Sequence, residues 1–288
     1  MPTFRQMIAG PKPLLAPLVL NPIMAKLAAQ AGFEAAYLGG GSTGNMKCVT
    51  EANLNISEMC QAALDIRAVS SLPLVLDGAC GFGDPMHMHR TIGMTEAAGF
   101  AAIEIEDQIL PKRAHHHIGI EHVVPTELMV AKIKECVAAR RNPETVIIGR
   151  TNAARMHSLD EALRRGEAYR KAGADMLMVL AKTPDQIATI GEKLGGPLQL
   201  LIADDRRRAL GLSLDELGRL GYRLICDATT PMMIMHKALR EGYAAMARGE
   251  PDPTLGKGGA HAEQEKVHET IGLEAMLAVE RATVEKGH

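Results

Sequence analysis

The chain has no tryptophan, and its aromatic share is only 3%. With seventeen methionines in 288 residues, its core must be filled by flexible aliphatic side chains rather than rings. Neither sign of charge is in excess, since 32 basic residues face 34 acidic ones for a formal net charge of -2. Nucleic acid and anionic membrane surfaces are therefore not expected as partners. No apolar run approaches the roughly 20 residues of a membrane helix. The N-terminus, "MPTFRQMIAG", also lacks the cation-then-apolar layout of a signal peptide. Five cysteines (Cys48, Cys60, Cys80, Cys136 and Cys226) occur without CxxC spacing. They read as reduced thiols of a cytoplasmic protein, not as a disulfide framework.

What is present is alternation. Short apolar runs suited to strands fall at Leu14–Val19, Ala35–Gly39, Pro73–Asp77, Ala101–Glu106, Val146–Arg150, Asp175–Leu180, Leu198–Ala203 and Arg223–Asp227. Between them lie stretches of helical period, such as Thr126 to Arg140, with Leu128, Met129, Ile133 and Val137 on one face. Ser158 and Ser213, each followed by early acids, read as helix N-caps. "AGF" at Ala31 and Ala98 and "AGA" at Ala172 read as helix ends just before a strand. Eight such units predict a (β/α)8 TIM-type barrel over residues 1–248. A dinucleotide-binding sheet would carry a glycine-rich turn after its first strand, whereas "NPIM" follows here. Residues 249–288 read as a Pro/Gly-rich linker and one last helix, which has no barrel face left to cover and suits packing on a neighbouring subunit.

In such a barrel, chemistry gathers at the C-terminal ends of the strands. Those ends carry Asn21, then Gly39, Gly40, Gly41 and Ser42, then Asp77, then Glu104, Glu106 and Asp107. Arg150, Thr151 and Asn152 follow, then Lys182, Asp204 with Asp205, and Asp227 with Thr229. Carboxylates such as Asp77 and Glu106 suit Mg²⁺, with Mn²⁺ as a substitute. A guanidinium such as Arg150 clamps a carboxylate, and a glycine turn offers N–H groups to an oxyanion. The set describes a site for a small dianionic oxo- or hydroxy-acid; the bland alternative is charges pairing among themselves at a barrel rim.

The stretches "AKLAAQAGFEAAYLGGG", "PLVLDGACGFGDPMHMHRT", "IEIEDQILPKR" and "VIIGRTNA" resemble the isocitrate lyase/phosphoenolpyruvate mutase superfamily, in its 2-methylisocitrate lyase-like branch, from about Ala16 to Leu239. The resemblance implies a Mg²⁺-dependent enzyme that makes or breaks C–C, C–P or C–O bonds beside a 2-oxo acid through an enolate-like species. It also implies a homotetramer with exchanged C-terminal helices. By position, Asp77 and Glu106 match metal-shell acids, and Arg150 matches the arginine that grips the substrate carboxylate. Gly39, Gly40 and Gly41 match the turn at the oxo-acid end, and Lys112 and Arg113 open a mobile loop.

Departures are as informative. The family's "DADTG" reads "DGACG", with Ala79 for the second acid, and "KRCGH" reads "KRAHH", with Ala114 where lyases place an acidic cysteine. Leu180 stands where lyases place a glutamate, and a strand-7 Asn and Thr that hold a second carboxylate are not evident in "LLIADDRRR". Glu51 is the nearest acid after strand 2. With the thiol absent, His115 or His116 becomes the candidate general acid. In an extended loop, His115 and His117 would share a side, which opens a zinc or iron reading. His87 and His89 begin a helix and read as structural. The expected activity is C–C cleavage of a small 2-hydroxy- or 2-oxo-dicarboxylic acid. The alternatives are an oxaloacetate-type decarboxylase, a phosphonopyruvate hydrolase, or a barrel that binds an oxo-acid without turnover.

Overall fold

The structure is a computed structural model that describes residues 2–181, 183–202 and 210–285. The strand-end residues Lys182, Asp204 and Asp205 lie outside the described residues. Eight parallel strands form the sheet: β1 Leu14–Pro17, β2 Ala36–Leu38, β3 Leu74–Asp77, β4 Ala102–Glu106, β5 Val146–Thr151, β6 Met176–Val179, β7 Leu198–Ile202 and β8 Tyr222–Asp227. They pair in the order β1-β8-β7-β6-β5-β4-β3-β2. The seam between β1 and β2 is closed by a parallel bridge of Leu18 with Tyr37, where the Val19 N–H donates to the Tyr37 carbonyl at 2.8 Å. With helices between consecutive strands, this is a (β/α)8 barrel.

The punctuation works as the sequence suggests. The helices Pro22–Gln30, Met88–Ala97 and Leu159–Lys171 each end before a left-handed glycine: Gly32, Gly99 and Gly173. In all three the residue after the glycine donates back to the last turn, as Phe33 does to the Ala28 carbonyl at 3.1 Å. Only glycine takes that conformation without a Cβ penalty. Ser158 and Ser213 accept from the N–H groups of Glu161 and Glu216, which caps the helices that begin at Leu159 and Leu214.

Strand side chains alternate between two cores. The odd face of one strand and the even face of the next fill the barrel interior with Leu14, Ala16, Val75, Ala102, Ile148, Met176, Met178 and Leu224. Phe4 and Ile8, on the short helix Phe4–Ala9, join this inner cluster and plug the end of the barrel opposite the site. The Arg5 guanidinium pins that helix to Asp175 at 2.9 Å. The other faces pack outward on the helices, with Met129 and Ile133 of Thr126–Ala139 fully buried as their period requires. Each such aliphatic side chain contributes about 1.5–3 kcal/mol when buried.

The tail differs from the expected single helix. It forms two, Gly259–Ile271 and Leu273–Ala282, broken at Gly272, whose φ of 76° ends one helix before the next begins. The first packs against Pro22–Gln30 of its own chain. The second buries none of its residues.

Candidate active site

Arg150 is the hub. β4 carries Glu104 and Glu106 on one face, and Arg150 on β5 lies in register with Glu106. The Arg150 guanidinium donates to Glu104 Oε1 at 2.6 Å and lies 3.2 Å from Glu106 Oε2 through Nε. It also donates to Asn152 Oδ1 at 3.2–3.3 Å, while the Asn152 amide donates to Glu106 Oε2 at 2.9 Å. Behind it, Gln199 of β7 donates to Glu104 Oε2 at 2.7 Å and the Tyr37 hydroxyl points at the same oxygen at 3.4 Å. Asp77, the last residue of β3, accepts from the Gly40 and Ala79 N–H groups at 3.0 and 3.1 Å.

Two loops complete the mouth. Glu51, on a short 3-10 turn after the helix Gly40–Met46, is buried at 7% exposure. The Lys112 ammonium lies between it and Glu106, at 2.8 and 2.5 Å. His116 Nε2 approaches Glu51 at 3.3 Å, and its Nδ1 pairs with the Arg113 carbonyl at 2.7 Å, so Nδ1 carries the proton. Glycine is required at Gly40, because a Cβ there would meet the Glu51 carboxylate oxygen at 2.7 Å. The same holds for Gly78, where a Cβ would strike the Glu104 carbonyl at 2.6 Å.

Asp77, Glu104, Glu106, Arg150, Lys112, His116 and Gly40 thus meet at one mouth. Gly39 caps the helix that Gly40 begins, and the N–H groups of Gly41 and Ser42, in its first turn, have no intrahelical acceptor. The Ser42 hydroxyl turns away and donates to the Ala228 carbonyl at 2.7 Å, tying the glycine turn to the end of β8. Arg113 is exposed at the base of the loop. Asp107 faces outward, where Thr151, Arg165 and Tyr169 hold it. Asp227 accepts from the N–H groups of Thr229 and Thr230 and borders an outer groove with Pro17 and Pro231.

The histidine loop is not extended. Ala114–Ile118 is a 3-10 helix, which sends the three rings different ways because it turns once per three residues. His115 is exposed beside His122, with ring centroids 6.0 Å apart, and His117 lies against His116 at 4.0 Å. This geometry separates the pair on which the zinc or iron reading rested. His87 accepts from the Asp84 N–H at 3.0 Å and His89 pairs with Glu135 at 2.8 Å, both structural contacts.

Tyr37, Gln199, Asn152 and Glu51 belong to the site more firmly than their sequence context suggests. For Gln199 the signal is a lone amide inside the apolar run "PLQLLI", where a buried polar group needs a buried partner.

Four buried carboxylates therefore face two cations. The imbalance shows in their protonation. Burial, with Glu51 and Glu104 close by, pushes the Asp77 carboxyl up to about 7. Burial likewise raises Glu104 despite Arg150. For Glu106 burial opposes ionisation, but Arg150 and Lys112 prevail and hold it low. Glu51 is pulled down to about 2, as Lys112 and the His116 hydrogen bond outweigh its burial.

A family model described as phosphoenolpyruvate phosphomutase matches residues 4–247. The chain belongs to the phosphoenolpyruvate mutase family. It is 31% identical to 2,3-dimethylmalate lyase of Eubacterium barkeri over 96% of this chain and 95% of that one. It is 34% identical to an oxaloacetate decarboxylase of Pseudomonas putida strain GB-1, over 78% and 76% of the two chains. Among solved structures, a phosphonopyruvate hydrolase in complex with oxalate and Mg²⁺ superposes with a TM-score of 0.83 at 29% identity, covering 97% of each chain. Members of the superfamily act on small carboxylic acids, and the relatives named above include lyases.

The donor set of this family member fits a divalent cation. Oxygen ligands suit Mg²⁺, and four buried carboxylates against the Lys112 and Arg150 cations leave the mouth rich in acid groups, which suits a divalent cation. Within that set Asp77 is lifted to about 7 by burial and then by Glu51 and Glu104.

Removing Arg150 should strand two buried carboxylates, which costs about 3–5 kcal/mol. Arg150→Met is expected to lower unfolding stability by that amount in urea titration, and adding Glu104→Gln should recover part of it. A double variant no more stable than the single one would contradict the hub. His116 offers a second check. Burial opposes its charge, but the bonds to Glu51 and Arg113 raise its pKa above the ordinary value. A raised histidine holds its contact below the unfolded pKa, near 6.5, and loses it as pH rises through the folded value. Hydrogen exchange at 113–119, corrected for intrinsic rates, should therefore quicken above neutrality. In His116→Gln that pH dependence should vanish.

Proposed function

We propose that this chain is a Mg²⁺-dependent lyase that cleaves a C–C bond next to a small 2-oxo or 2-hydroxy acid through an enolate-like species. The single observation behind this reading is the mouth itself: Asp77, Glu104, Glu106 and Glu51 gathered around Lys112 and Arg150. Asp77 and Glu106 would hold the ion, with Mn²⁺ as a substitute, and Glu51 and Glu104 would add negative charge around it. When bound, the ion stabilises negative charge that develops on the enolate oxygen.

The chain's own groups do the rest. Arg150 has donors in a fork that matches a carboxylate, and the free first-turn N–H groups of Gly41 and Ser42 suit the oxo-acid end. Asn152 and Glu104 fix the fork so that it does not reorganise on binding. Lys112 closes the loop over the reacting atoms through Glu51 and Glu106. Cleavage of the C–C bond would leave its electron pair on the departing enolate, whose carbon takes the Nε2 proton of His116. A 2-hydroxyl that becomes a carbonyl gives its proton to a carboxylate of the mouth. Burial opposes charge on the His116 imidazole, but the Glu51 contact favours the charged form and raises its pKa above the ordinary value. His115 has no such path from its exposed position.

A decarboxylase is the second reading, since loss of CO₂ from an oxaloacetate-like acid leaves the same enolate for the same proton donor. The likeness to the Pseudomonas putida oxaloacetate decarboxylase supports it. C–P hydrolysis would draw on the same headgroup grip. With five free cysteines, we read the chain as cytoplasmic. We also read it as a homotetramer with exchanged C-terminal helices, supported by Met276, Val279 and Val284, which are 55–71% exposed on the last turns. Residues 1–248 then form the catalytic domain and 249–288 the exchanged tail.

Product release from a panel of 2-oxo and 2-hydroxy acids should require Mg²⁺ and cease on chelation. Asp77→Ala and Arg150→Ala should each abolish it. His116→Gln should slow it by about 10²–10⁴-fold, whereas His115→Gln should stay within threefold or so. Tight binding without any turnover would instead mark a non-catalytic barrel. Light scattering should give four subunits per particle for the full chain and fewer after truncation following Gly258, and an unchanged number of subunits would remove the exchanged tail.

A further inference from the structure

The mouth has two unlike halves. On β3, β4 and β5 the inward-facing residues of the top layer are Asp77, Glu106 and Arg150, all ionic. On the opposite side the same layer is apolar among the described residues. Gln199 reaches across the barrel to Glu104 at 2.7 Å, so the inward face of β7 is fixed. Two residues further on, the same face carries Leu201, which is half-buried against the inner cluster. By the same alternation β6 passes from Met178 to Leu180, and β8 from Cys226 to Ala228. The Leu180 N–H donates to the Thr151 carbonyl at 3.1 Å, which sets Leu180 beside Asn152. The Ser42 bond sets Ala228 beside the glycine turn. Leu180, Leu201 and Ala228 thus form a wall across the mouth from the ionic set, and Leu201 and Ala228 keep part of their surface open.

A headgroup held by Arg150 and the glycine turn extends its remaining atoms toward that wall. From this we infer that Leu180, Leu201 and Ala228 determine specificity by contacting an alkyl substituent on the far end of the substrate, so that the preferred guest is a 2-oxo or 2-hydroxy acid with an apolar tail. The inference rests on the headgroup reading proposed above and departs from the second carboxylate expected from the sequence. Placing a carboxylate against those side chains would strip its water with no cation of that wall among the described residues to pair it, whereas each methylene there leaves water.

The test is calorimetric binding to the full-length protein with Mg²⁺, using pyruvate, 2-oxobutanoate, 2-oxopentanoate and 2-oxoglutarate. The last two match carbon for carbon and differ in a terminal methyl against a terminal carboxylate. Affinity should climb about fourfold per added methylene, and 2-oxopentanoate should bind at least about tenfold more tightly than 2-oxoglutarate. Leu201→Asn, at a half-exposed position that tolerates an amide, should narrow that ratio, and Leu180→Ala should flatten the rise with chain length. Tighter binding of 2-oxoglutarate to the unmodified protein would overturn the inference while leaving the headgroup reading intact, and would direct the search for a second grip to residues 203–209 or Lys182. Failure of every acid to bind would overturn both.

Discussion

A guanidinium shared by two buried carboxylates is the contact on which this molecule is organised. Arg150 could not be buried alone, nor could Glu104 or Glu106, because each would lose several kcal/mol of hydration. Brought together at 2.6 and 3.2 Å they tolerate burial, and they do so only because β4 and β5 are in parallel register. The register is set by the apolar alternation of Ala102, Ile148 and their neighbours, so the core dictates where the charges stand. Gln199 and Tyr37 then occupy the other Glu104 oxygen. The barrel interior is therefore hydrocarbon at one end and a hydrogen-bonded ionic layer at the other.

That layer is stable as a network and yet short of positive charge. Lys112 supplies one cation from a loop, not from the barrel, and it neutralises Glu106 and Glu51 together. Asp77 accepts from two backbone N–H groups and has no ion pair among the described residues, and burial, with Glu51 and Glu104 close by, raises its carboxyl. Loop position and protonation at the mouth are thus linked. In the position the loop takes here, Lys112 and His116 both stand against Glu51.

The fold was legible in the chain because its evidence is local. All eight strand runs, the serine caps and the three helix-ending glycines act over a few residues, and each appears where period and turn chemistry put it. The ionic mouth was legible as a set of strand ends, since in a parallel barrel all C-terminal ends share one face. What could not be read is what depends on contact at long range or on loop conformation. Nothing local says that Gln199 pairs with Glu104, or that Glu51 folds back to meet Lys112, since those pairs are 95 and 61 residues apart. The loop of three histidines is another case. Its rings diverge because Ala114–Ile118 coils, a choice that polar residues of similar propensity leave open. Gly272 shows the same limit in reverse: an isolated glycine within a helical pattern is tolerated or not according to context, and here it divides the tail.

The two halves of the mouth bear on which chemistry the ionic layer serves. A site that holds a diacid at both ends fixes the reacting bond between two charges, and the ends then control the geometry of cleavage. Under the proposed headgroup reading the grip is one-sided. Arg150 and the glycine turn would orient one end, and the opposite wall could orient the rest only by shape. Under that arrangement the direction of the breaking bond is set by how the tail fills the space before Leu201 and Leu180, not by a second ion pair. A tail too short to reach the wall would leave that bond free to rotate, and cleavage would then lose rate as well as affinity. A one-sided grip would therefore tie both binding and turnover to the bulk of the tail, a coupling that follows from where this barrel placed its charges.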